Sequence, residues 1–126
     1  MKKIVVFVIL IFSNITFASE NEDLDYCATI ESWAASKVIS SVITKNQELD
    51  QYQATSSFIS RHKLVKEGKP ITLTEWGQLY IQTIEISIPY INNQKKSVTL
   101  IASSIISTQE CSLTEPAYFD ITSEHG

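Results

Sequence analysis

"LYIQTIEISIPYI", Leu79 to Ile91, and "SVTLIASSII", Ser97 to Ile106, decide the fold of this chain, because each carries two periodicities at once. In the first, Trp76, Leu79, Tyr80, Thr83, Ile84, Ser87 and Ile88 draw a helical stripe, whereas Tyr80, Ile84, Ile86, Ile88 and Tyr90 alternate as a half-buried strand would. In the second, Val98, Ile101, Ala102, Ile105 and Ile106 keep a three-four rhythm within a segment rich in β-branched residues. Two features tip the reading towards helices. Thr72 and Glu75 have the spacing of a capping box just after the break at Gly68 and Pro70, and Asn92 or Asn93 can cap the segment that follows. The expectation is an all-α domain, a small four-helix bundle with one disulfide. The alternative treats "NNQKK" as a hairpin loop and gives an α+β fold with a long N-terminal helix and a C-terminal hairpin.

Outward from this stretch, the spacing of Cys27, Ile30, Ala34, Val38 and Val42 predicts a first helix over Asp23 to about Lys45. Leu49, Tyr52, Ile59 and His62 or Lys63 predict a second, weaker helix from about Glu48 to Leu64, with a polar, Ser/Thr-rich interior that allows a partly irregular stretch. Pro89 kinks or ends the third, since it lacks an N–H and its ring collides with the preceding turn. The segment 112–126, "SLTEPAYFDITSEHG", is expected as an extended tail outside the bundle. Sparse turn residues, three glycines and three prolines in 126 residues, argue against a sandwich of many short strands.

Residues 1–18 have the pattern of a secretory signal peptide: Lys2 and Lys3, an apolar run from Ile4 to Phe12, then Thr16 and Ala18 at a peptidase's spacing. Residues 19–126 are then one small domain, exported to a periplasm without a membrane anchor. Cys27 and Cys111, the only cysteines, are expected to pair in that oxidising compartment, since exposed thiols there are oxidised. Beyond Ala18 the chain has eight Lys and Arg against fourteen Asp and Glu, a balance that disfavours nucleic acid and anionic membranes and suits a basic partner.

Groups that could carry chemistry are few. His62 and His125 are the only histidines, no Gly-x-Ser-x-Gly elbow occurs, and neither Cys-x-x-Cys nor a calcium loop is present, so no catalytic residue, metal or cofactor is expected. Trp33 and Trp76 are expected in or beside the core. The tail supplies the candidate partner-binding residues: Tyr118 and Phe119 as aromatic anchors, with Glu115 and Asp120 beside them, following Pro116; the favoured alternative is that Tyr118 and Phe119 fold back to cover the bundle near the disulfide.

The layout of Cys27 in the first helix, Pro89 at the end of the third and Cys111 closing the fourth resembles the immunity proteins that neutralise type VI secretion effectors, such as the amidase immunity proteins, over Tyr26 to Cys111. The resemblance implies a periplasmic, non-enzymatic inhibitor that occludes a cognate peptidoglycan-cleaving toxin; the sequence leaves the oligomeric state open, a homodimer included. A structural or stress-related interaction module of the periplasm is the other expectation.

Overall fold

The computed structural model describes residues 21–92 and 95–122; the signal segment, His125 and the end of the tail lie outside them. Helical residues 21–26 (α1) and helix α2 (Trp33–Lys45) precede a 3-10 turn at Gln51–Gln53 and eight strands. These are β1 (Thr55–Lys63), β2 (Val65–Lys66), β3 (Lys69–Pro70), β4 (Thr72–Leu73), β5 (Gly77–Gln78), β6 (Tyr80–Ile88), β7 (Val98–Ile106) and β8 (Ala117–Asp120). β1, β6, β7 and β8 form an antiparallel sheet in that order, and β2–β3 and β4–β5 are two short ribbons. The all-α bundle is therefore overturned. The helix-and-hairpin alternative lies nearer, because β6 and β7 do pair, but strands also replace the second helix and part of the tail.

The sheet wins at β6 and β7 because alternation there is strict on one face only. Ile84, Ile86 and Ile88 of β6 and Val98, Leu100 and Ala102 of β7 are buried against Ala35, Val38, Ile39 and Val42 of α2. Nine residues of each strand pair, from Tyr80 with Ile106 to Ile88 with Val98. The three-four rhythm in β7 arose because Ile101 and Ile105, on the opposite face, are apolar too. An antiparallel sheet tolerates this, since its second face need not be polar throughout.

The first helix is also shorter than expected. Residues 27–32 turn through three-residue hydrogen bonds, Cys27 N–H to Leu24 C=O and Thr29 N–H to Tyr26 C=O, while the Thr29 hydroxyl donates to Tyr26 C=O at 2.7 Å. Side chains of this kind offer the backbone an alternative to helix. Ser32 restarts it: its Oγ accepts from Ala35 N–H as the N-cap and donates to Cys27 C=O at 3.1 Å. The turn leaves Cys27 buried, with its sulphur bonded to Cys111 just beyond β7. The disulfide thus ties the helical layer to the sheet, where it was expected to join the two ends of a bundle.

Pro89 ends a strand, not a helix. Its C=O accepts from Asp50 N–H at 2.8 Å, and Ile91 N–H donates to Glu48 C=O, so the α2–β1 connection is fastened to the end of β6.

Candidate functional site

Between β1 and β6 the chain makes a separate structure over residues 64–79. Leu64 N–H donates to Leu79 C=O at 2.9 Å, Leu79 N–H to Ile71 C=O at 3.0 Å, and Ile71 N–H to Leu64 C=O at 2.8 Å. This closed ring joins three ribbons: β1–β6 at its base, β2–β3 and β4–β5 beyond it. The Gln78 amide donates to both Ile71 and Leu79 carbonyls, adding a side-chain brace. Residues 65–70 and 72–75 are all exposed, so the segment stands clear of the body as a finger. The expected capping box is here and does not cap a helix: Thr72 pairs with Gln78 in β4–β5, and Glu75 lies in the turn that Gly77, at φ +77°, helps to close.

The finger itself balances Lys66 and Lys69 against Glu67 and Glu75, but together with the end of β1 it gathers charge that the whole-chain balance hides. Residues 61–76 hold Arg61, Lys63, Lys66 and Lys69 against Glu67 and Glu75, whereas the remainder beyond Ala18 has four lysines against twelve carboxylates. Its apolar residues are displayed as well, with Val65 54% and Leu73 42% exposed. At the tip, Lys66 and Lys69 face each other across the turn Glu67–Gly68, whose φ values of 53° and 77° fit the primed turn of a two-residue hairpin.

At the base of the finger, Arg61 donates from Nε to Gln82 Oε1 and from Nη2 to Asp25, both at 2.9 Å. Gln82 is buried on the helix-facing side of β6, and its Nε2 has no hydrogen-bond partner. This Asp25–Arg61–Gln82 chain joins α1, β1 and β6, and the strand misreading at β1 concealed it from sequence.

A second feature is a surface cleft of about 430 Å³ beside the disulfide, lined by Tyr26 and Trp33 with Asp23, Glu31 and Glu110 among others. It adjoins a cleft of about 400 Å³ that shares Trp33 and Ser36 and includes Lys37 and Glu115. Trp33, expected at the core, is 54% exposed and forms the wall between them, with Lys37 Nζ 5.2 Å from its ring centroid. Trp76 is half-buried in the finger.

The structure separates the four tail residues. Glu115 pairs with Lys37. Tyr118, on the inner face of β8, packs against the core cluster and accepts from Lys45 Nζ at 3.3 Å. Asp120 accepts from Thr122 N–H at 2.8 Å. Phe119, opposite Ile101 on the outer face, is 71% exposed, which makes it the outward-facing aromatic of the Tyr118–Phe119 pair. His62 is exposed on β1 across from Ile81. Among the described residues no cluster of three or more His, Cys, Asp or Glu could hold a metal ion, and no helix is long and apolar enough to cross a membrane.

Comparison of the chain with known proteins finds no matching family model and no significant match to a curated protein or a solved structure.

Proposed function

We propose that this chain is an exported, non-enzymatic inhibitor that binds and occludes a peptidoglycan-cleaving toxin in the periplasm, in the manner of an immunity protein. The four-helix layout behind the family likeness is not the observed one, so the reading stands on the surface. The observation that carries it is the finger: an ordered, hydrogen-bonded projection whose residues 65–78 contribute no side chain to the core, yet which displays Val65, Leu73, Lys66 and Lys69, with Lys63 exposed at its base. A body clamped by the Cys27–Cys111 bond suits this task in an oxidising compartment, because rigid presentation lowers the ordering cost of binding. The signal-like residues 1–18 supply the route there.

The test is co-expression with the product of the adjacent gene, both directed to the periplasm. The expected result is a product lethal alone and tolerated with this chain, the two eluting as one complex. A harmless product, or lethality that this chain does not relieve, overturns the reading.

A second reading, a periplasmic structural or stress-related module with several clients, is favoured by one observation. The outer sheet face carries Ile81, Phe119 and Ile121, each at least 40% exposed. Pull-down from periplasmic extract separates the two: one stoichiometric partner supports the inhibitor, many weak ones the module.

A further inference from the structure

Resting on the inhibitor reading, we propose that the finger tip is the occluding element and that its target is a cleft lined by paired carboxylates, the centre of a glycan-cleaving hydrolase. The tip is built against its own stability. Lys66 and Lys69 are register partners across the hairpin, so their Cβ atoms lie roughly 5 Å apart on one side of the ribbon, and like charges placed so repel. Among the described residues neither lysine forms an ion pair. Between them Glu67 holds a left-handed backbone, the only non-glycine residue with positive φ among the described residues, where Asn or Gly is the unstrained choice. Strain and repulsion gathered at the end of a projection with no part in the core point to an anionic counterpart supplied from outside.

The pattern of charge selects among anionic partners. Glycosidases of the common retaining and inverting kinds flank the scissile bond with two carboxyl groups about 5 to 9.5 Å apart, a separation that two neighbouring lysine ammoniums can span. An enzyme acting on an anionic wall polymer gains encounter rate from a cationic rim. Such a target is positive outside and negative at its centre. This chain is the complement, a carboxylate-rich body behind a tip where Lys66 and Lys69, with Lys63 at the base, outnumber the single carboxylate of Glu67, and Val65 and Leu73 are placed to meet the apolar walls of a sugar cleft. An anionic membrane would attract the tip but repel the carboxylate-rich body behind it. Occlusion is steric, with an ammonium held at each carboxylate and no covalent step.

The experiment measures inhibition by the full, disulfide-intact chain of a lysozyme-type muramidase and of a cell-wall amidase, with sedimentation on phosphatidylglycerol vesicles as a third arm. The variants are Lys66→Ala/Lys69→Ala and, as a charge-matched control at the other end of the sheet, Lys95→Ala/Lys96→Ala; melting curves confirm that both fold. Expected are inhibition of the muramidase, a loss of about tenfold or more in potency for the finger variant, and a change within about twofold for the control. No inhibition of the muramidase, equal potency of the finger variant, finger-dependent inhibition of the amidase alone, or lysine-dependent vesicle binding each overturns the inference. The co-expression assay distinguishes the failures: if the finger variant still relieves the toxin, the inhibitor reading stands and the finger's role does not.

Discussion

The β6–β7 ladder and the finger are both antiparallel ribbons, yet opposite means hold them. In the ladder every second side chain is buried, so the backbone bonds are shielded and the isoleucines resist opening. In the finger the backbone ring around Leu64, Ile71 and Leu79 is the main restraint, and the side chains beyond it face water. Stability resides where both faces of the argument, register and burial, agree. The finger gives up burial and keeps register, which leaves its side chains available to a partner.

The largest effect expected on this contrast comes from the disulfide. Cys27 and Cys111 are 84 residues apart, and removing a cross-link of that span should lower stability by about 4 to 5 kcal/mol if chain entropy dominates. Urea unfolding with and without reductant measures it, and a Cys27→Ser/Cys111→Ser variant should match the reduced protein. A loss under about 1 kcal/mol would mean that the two layers hold together without the clamp.

Next is Ile86→Ala. Ile86 is fully buried at the centre of the ladder, and its truncation should cost about 3 kcal/mol through lost transfer energy and the cavity left behind. Val65→Ala in the finger should stay within about 0.5 kcal/mol of the parent. Similar losses at the two positions would erase the distinction between body and finger.

The tail offers an intermediate case within one short strand. Tyr118 packs against the core and Phe119 points away from it, so Tyr118→Ala should cost about 1 to 2 kcal/mol and Phe119→Ala about 0.5 or less. Equal effects would mean that β8 is not seated as the register Ile101 to Phe119 requires.

These contrasts also show what the sequence made legible. The cysteine pairing followed from redox chemistry and count, and the α2 stripe through Ala34, Val38 and Val42 was a one-sided apolar pattern with no rival. The ladder was ambiguous for a physical reason: Ile101 and Ile105 fill the outer face, so an added helical rhythm overlay the alternation. β1 was read as helix because "TSSFISRHK" has little apolar contrast, being an edge strand whose position is set by pairing with β6. The Thr72–Glu75 pair had the right spacing for a cap, but Gly77 and the ribbon across it decided the local geometry. Of the candidate site, the aromatic tail was visible as residues without placement. The finger was missed because the contiguous run Arg61 to Lys69 was read as the end of a helix and a break, although its cations lie side by side in the sequence.

The smallest effect is the most discriminating for the finger. Glu67 occupies a left-handed position at the first central residue of the Lys66–Lys69 turn, where a side chain costs about 1 kcal/mol relative to glycine. A Cβ-free residue removes that cost but frees the unfolded chain, so Glu67→Gly should raise stability by only about 0.5 kcal/mol. Since the finger lies outside the core, little of this should register in the global transition. It should register in hydrogen exchange, where the amide protons of Leu64, Ile71 and Leu79 report opening of the ring, and these should slow while those of β6 and β7 stay unchanged. Slowing across the whole sheet would show that finger and body open as one unit. No change anywhere would show that the turn is relaxed with glutamate in place, and the case for strain held ready for a partner would then rest on the lysine pair alone.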